Sequence, residues 1–70
     1  MIKPKLLDVV ALLKELPEEK LMKGQVGTVV ELLAEGVYEV EFSDRQGRTI
    51  TMCALSESDL LVLHYELEAV

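Results

Sequence analysis

Two neighbouring β-type segments, residues 25–33 and 37–42, constrain the fold of this chain more than any other feature. The first is rich in β-branched side chains, and in the second, from residue 38 onward, aromatic or apolar side chains alternate with glutamates. Such patterns are typical of strands with one buried face. Ala34-Glu35-Gly36 supplies a short turn between them. The sequence therefore predicts a β-hairpin whose second strand directs these side chains into the core: Tyr38, Val40 and Phe42.

Beyond the hairpin, the sequence predicts two more strands and one helical turn. Residues 43–47 form a turn, and Arg48 to Ala54 form a strand that places Ile50 and Met52 on the core face. Residues 55–59 resemble a single helical turn, with Ser56 in a position to cap it. A last strand begins near residue 60, and its alternating apolar side chains are these: Leu61, Leu63, Tyr65 and Leu67.

Residues 6–16 fit two structures. A helical stripe would consist of Leu6, Val9, Val10, Leu13 and Leu16, and a strand face of Leu7, Val9, Ala11 and Leu13. We assign a strand from Leu7 to Leu13 from the context of the other strands, and the helix remains the alternative. Residues 17–24 form a charged loop whose Leu21 and Met22 are expected to fold back onto the core.

This order of elements predicts a mainly all-β fold, a small five-stranded SH3-like barrel with one short helical turn near residues 56–59. Residues 6–16 are the only part that could be helical instead. The 70 residues form one domain, 1–70, with a thin core, since a chain of this length buries only about 60% of its unfolded surface.

Charge and composition favour a protein partner. The formal net charge is −6, and the seven basic residues are scattered, so nucleic acid is disfavoured and a basic protein surface is favoured. The single cysteine, Cys53, fits a reducing cytoplasm. We expect no membrane span, no metal and no cofactor.

The glycines of KGQVGTVVE, Gly24 and Gly27, allow two interpretations, a phosphate-binding loop and a structural turn. A phosphate loop needs a helix after it and usually a lysine within it, whereas a strand follows here. A barrel corner with positive φ or a close backbone approach is the favoured reading.

No constellation of residues predicts an enzyme. Cys53 is the only cysteine and His64 the only histidine that could act as a nucleophile and base pair. Cys53 lies within an apolar strand, where a thiol is usually packed and unreactive. The chain has three aromatic residues in total and no tryptophan, which argues against grooves for proline-rich peptides or methyl-lysine.

Three carboxylates are the candidate partner-binding residues. Alternation along the hairpin places Glu31, Glu39 and Glu41 on its outer face. A solvated face is the ordinary explanation, and an acidic surface that meets a basic protein is the functional one.

Two resemblances extend this interpretation. Gly24-Gln25-Val26-Gly27-Thr28-Val29 resembles the glycine turn of KOW-type modules, but Gln25, Val26 and Thr28 stand where RNA-binding members usually carry lysine or arginine. Over residues 8–49 the chain is similar to a family of short bacterial proteins, common in cyanobacteria, that is catalogued as a domain of unknown function. The resemblance implies that the gene for this chain lies beside a second small gene, an arrangement that toxin and antitoxin pairs share.

The predicted function is therefore a non-catalytic, acidic protein-binding module that neutralises a neighbouring gene product. The alternative is a KOW-type RNA- or ribosome-associated module. A homo-oligomer formed through the apolar C-terminal strand, residues 60–70, also remains open.

Overall fold

A computed structural model of the protein describes residues 3–64. Within these residues, five strands form one antiparallel sheet in the order β4-β3-β2-β1-β5. Their bounds are β1 Val9–Leu12, β2 Val26–Ala34, β3 Val37–Ser43, β4 Thr49–Ser56 and β5 Leu60–Val62. The predicted all-β class is confirmed, the helical alternative for residues 6–16 is wrong, and the sheet stays open between β4 and β5.

The hairpin of β2 and β3 forms as predicted, and its second strand buries the predicted side chains. Tyr38, Val40 and Phe42 are 6%, 0% and 0% exposed and form the centre of the core. A register shift after Val29 inserts one extra residue into β2, so that Glu31 lies opposite Glu39. This bulge bends the strand and lets the sheet curl around its core.

The face of β1 that is buried is not the face that the sequence pattern predicted. Val10 and Leu12 are fully buried, whereas Leu7 and Leu13 are 71% and 43% exposed. The apolar residues of this segment lie on both faces, so periodicity alone cannot choose between them. The choice comes from pairing, because Val10 lies opposite the buried Gly27 of β2.

The predicted facing of β4 is wrong. Ile50 and Met52 are 46% and 54% exposed, and the core takes Leu55 instead, which is 5% exposed. Residues directly opposite each other in an antiparallel ladder share a face. Because Tyr38 lies opposite Leu55 and Val40 opposite Cys53, the inward residues of β3 fix which residues of β4 point inward.

The long loop between β1 and β2 contributes one core residue of the predicted two. Leu21 is 2% exposed, whereas Met22 is 68% exposed. The backbones of Leu16 and Leu21 exchange hydrogen bonds of 3.0 and 3.1 Å. These bonds close the loop around a 3-10 turn at Pro17–Glu19 and hold Leu21 against the sheet.

The predicted helical turn near residues 56–59 is a 3-10 turn at Glu57–Asp59. Ser56 occupies the N-cap position, but its hydroxyl donates to the Asp59 carboxylate at 2.9 Å and caps no backbone N–H. The following strand, β5, buries Leu60 and leaves Leu61 51% exposed. The predicted continuation of this strand through residues 65–70 lies outside the described residues.

The two glycines of KGQVGTVVE are structural, for two different reasons. Gly24 has a φ of +91°, which disfavours any residue with a side chain. Gly27 lies so close to β3 that a Cβ atom would be 2.8 Å from the Glu41 carbonyl oxygen, from a Phe42 ring carbon and from a Val40 methyl group. The first glycine makes a turn, and the second allows close approach of two strands.

Candidate functional site

The three predicted carboxylates lie together on the outer face of β2 and β3. Glu31 is directly opposite Glu39, and Glu41 is two residues further along β3. Like charges directly opposite each other in a sheet are destabilising. Glu31 and Glu39 therefore repel each other in the folded protein, and a positively charged group bound beside them would reduce this repulsion.

Exposed apolar side chains adjoin these carboxylates. Met52 lies directly opposite Glu41 on the neighbouring strand, and Ile50 precedes it by two residues. Both side chains are about half exposed. We call these five residues the acidic outer face: Glu31, Glu39, Glu41, Ile50 and Met52. The two apolar members are the residues that sequence reasoning placed in the core, so it missed them as surface residues.

Among the described residues, the ion pairs lie outside this face. Lys14 pairs with Asp59 at 3.2 Å, and Arg48 pairs with Asp44 at 2.9 Å. Within the acidic outer face, the Glu41 carboxylate accepts a hydrogen bond of 2.6 Å from the Thr49 hydroxyl. This bond fixes the Glu41 side chain over β4 without neutralising its charge.

Cys53 faces a cleft between β4 and the 3-10 turn at Pro17–Glu19. The cleft has a volume of about 300 Å3 and is lined by Lys14, Leu16, Glu18, Glu19, Cys53, Ala54, Leu55 and Asp59. Burial raises the pKa of the Cys53 thiol, and the charges of Glu19 and Glu18 raise it further, while a hydrogen bond with Thr51 opposes them. Burial by itself would raise the pKa of Asp59, but hydrogen bonds with Ser56 and Lys14 and the charge of Lys14 together outweigh it and lower that pKa.

The raised pKa predicts that Cys53 reacts slowly with alkylating agents. A higher pKa leaves less thiolate at pH 7.5, and thiolate is the nucleophile. We expect iodoacetamide to modify Cys53 more slowly than it modifies glutathione at that pH. The double variant Glu18→Gln/Glu19→Gln should react faster than the unmodified sequence, because it removes two charges that disfavour the thiolate. Modification as fast as that of glutathione would contradict the partly buried, carboxylate-flanked position of Cys53.

Two basic side chains line a groove elsewhere on the surface. An open groove of about 440 Å3 lies between the glycine turn and the β3–β4 turn, and both Lys23 and Arg45 line it. These residues are far apart in sequence, so sequence reasoning did not bring them together. Asp44 lines the same groove and is already paired with Arg48.

Neither a metal site nor a membrane span is found in residues 3–64. No three side chains among the histidines, cysteines, aspartates and glutamates of this part are grouped so that they could hold a metal ion. No helix in the same range is both long enough and apolar enough to cross a membrane.

The structure thus defines a class, a small all-β domain with an open five-stranded sheet and an acidic, partly apolar outer face. The chain belongs to the family described as a domain of unknown function, DUF4926, whose model matches residues 6–62. Searches of curated proteins and of solved structures give no significant match. The predicted membership of a family of unknown function is confirmed.

Proposed function

We propose that this domain is a non-catalytic module that binds a basic surface of another protein. The observation that supports it most is the acidic outer face. It combines three carboxylates with two exposed apolar side chains, and neither ion pair found within residues 3–64 uses those carboxylates. Charge complementarity would steer encounter with a basic partner, and burial of Ile50 and Met52 would add affinity.

The partner that we propose is the product of an adjacent gene, which the domain would neutralise as an antitoxin does. A free thiol at Cys53 is compatible with a reducing cytoplasm, where such pairs act. The proposal involves no chemical step, because binding alone would block the partner.

Charge reversal at the outer face tests the proposal. The double variant Glu39→Lys/Glu41→Lys should lose capture of the adjacent gene product by at least about tenfold, since it replaces attraction with repulsion. Its matched control is Glu15→Lys/Glu35→Lys, which changes net charge equally at two exposed positions away from that face. Co-expression and pull-down, followed by titration calorimetry, provide the measurement.

The stability of the single variant Glu39→Lys provides an independent readout. Glu39→Lys converts the Glu31–Glu39 repulsion into an attraction across β2 and β3. We therefore expect it to raise the free energy of unfolding by a few tenths to about 1 kcal/mol while it weakens binding. No complex between the wild-type protein and the adjacent gene product, or equal binding by the outer-face and control variants, would refute the proposed function.

RNA binding is the second candidate, because the groove at the glycine turn brings Lys23 and Arg45 together. The net charge of −6 opposes it. Low-salt titration with a single-stranded oligonucleotide distinguishes the two functions. Binding that disappears in Lys23→Glu/Arg45→Glu would support the RNA module, and absence of binding at low salt would eliminate it.

A further inference from the structure

Strand β4 is an edge strand with an unusually adhesive sequence. It occupies one end of the sheet, and its eight residues, TITMCALS, include no charged residue, proline or glycine. Proteins generally protect exposed edges with charges, prolines, bulges or very short strands. The opposite edge follows this rule, since β5 has only three residues. The long edge of β4 has no charge or proline, and its register shift lies near its start, at Ile50, so that residues 51–56 remain in unbroken register with β3.

The backbone register shows which groups this edge offers. The Glu57 N–H donates to the Gly36 carbonyl at 3.0 Å, just beyond the paired residues of β3 and β4. Hydrogen-bonded and non-bonded pairs alternate along an antiparallel ladder. The bonded pairs therefore include Val40 and Cys53. The backbone N–H and C=O groups of Met52 and Ala54 point away from β3, towards the open edge.

Negative charge flanks this edge on both faces of the sheet. On the inner side, Glu18 and Glu19 line the cleft beside Cys53 and Ala54, and the Glu19 carboxylate accepts a 2.9 Å hydrogen bond from the Thr51 hydroxyl. On the outer side, Glu41 lies one strand away, opposite Met52. An added strand would contact apolar side chains of β4 directly and would have carboxylates near both of its faces.

We propose that the free edge of β4 receives an extended segment of a basic protein partner, which adds to the sheet as a sixth strand. Its outward side chains would be apolar and would cover Met52, and its inward side chains would be lysine or arginine directed towards Glu18 and Glu19. This mode of recognition takes affinity from the backbone hydrogen bonds and specificity from alternate side chains. The inference rests on the proposed function and specifies how the partner binds.

Charge argues against the other occupants of this edge. Pairing of β4 with β4 of a second copy would gather Glu18, Glu19 and Glu41 of both molecules, and each molecule carries a net charge of −6. Lys14 lines the same cleft but is already paired with Asp59. The chain's own residues 65–70 contain two glutamates and no lysine or arginine. Neither offers the positive charge that the carboxylates beside this edge would attract.

A capped peptide of alternating lysine and valine is the probe. Added to the 15N-labelled protein at low salt, it should slow amide hydrogen exchange at Met52 and Ala54 by at least about tenfold, because those N–H groups gain acceptors. The same peptide with N-methyl groups on alternate residues keeps its charge and side chains but cannot complete the ladder. It should bind at least about tenfold more weakly.

Two lysine substitutions form a matched pair of variants. Met52→Lys places a charge on the β4 edge and should weaken binding of the lysine–valine peptide by about tenfold. Leu61→Lys introduces the same charged side chain on the opposite edge strand, at a position that is 51% exposed compared with 54% for Met52. It should leave peptide affinity unchanged within about twofold. Circular dichroism confirms that each variant is folded.

Three results would overturn the inference: equal binding of the N-methylated peptide, no slowing of exchange at Met52 and Ala54, or protection of those amides through self-association in the absence of peptide. Light scattering identifies the last of these. If the adjacent gene product still binds through the acidic outer face and leaves those amides unprotected, the proposed function stands and the sixth strand is refuted.

Discussion

Gly27→Ala is expected to lower the free energy of unfolding by about 2 to 3 kcal/mol, because the new methyl group overpacks the interface between β2 and β3. Its Cβ would lie 2.8 Å from three atoms of β3. One of these is the backbone oxygen of Glu41, which cannot rotate away as a side chain does. Since small domains have only about 0.05 to 0.15 kcal/mol of stability per residue, this loss is a large share of the total.

Urea unfolding followed by far-ultraviolet circular dichroism measures the effect. With an m-value of about 1 kcal/mol/M, the midpoint of Gly27→Ala should fall by about 2 M or more. Gly24→Ala is the matched control, because its Cβ would meet nothing within 4 Å but would adopt a φ of +91°. That strain alone should cost about 1 kcal/mol. Equal losses in the two variants would show that close approach at Gly27 does not matter.

Leu55→Ala should destabilise the protein by about 3 kcal/mol, because it leaves a cavity in the core. Leu55 is 5% exposed and lies opposite Tyr38. Met52→Ala removes a side chain of similar size from the same strand, where it is 54% exposed, and should change the free energy of unfolding by no more than about 0.5 kcal/mol.

The comparison tests the facing of β4 directly. The sequence prediction, which placed Met52 on the core face, would have assigned the large loss of stability to Met52, and the structure assigns it to Leu55. Thermal and urea unfolding of the two variants under identical conditions provide the measurement. A larger loss for Met52→Ala would contradict the register of β3 and β4.

Only part of the candidate site could be predicted from the sequence, because local alternation shows the exposure of some of its residues and not of others. Glu39 and Glu41 could be placed on one face from sequence, because the acidic residues of β3 alternate with aromatic and β-branched ones that must be buried. Glu31 lies on β2, and it joins them in the structure because of the register shift after Val29. Ile50 and Met52 could not be added to that surface, because both are apolar and nothing local marks them as exposed. The cleft at Cys53 and the groove at Lys23 and Arg45 join residues from distant segments, and no local pattern predicts such meetings.

The sequence by itself determined the all-β class, the hairpin of β2 and β3 and the inward face of β3. In each case polar and apolar residues alternate or a turn residue marks the boundary, so the pattern carries the information. Only the tertiary structure decided the buried faces of β1, β4 and β5. Those strands are apolar on both faces, and burying either would satisfy the hydrophobic effect locally. Pairing with β3, and through β2 with β1, removes this ambiguity, because residues opposite each other in a ladder must share a face.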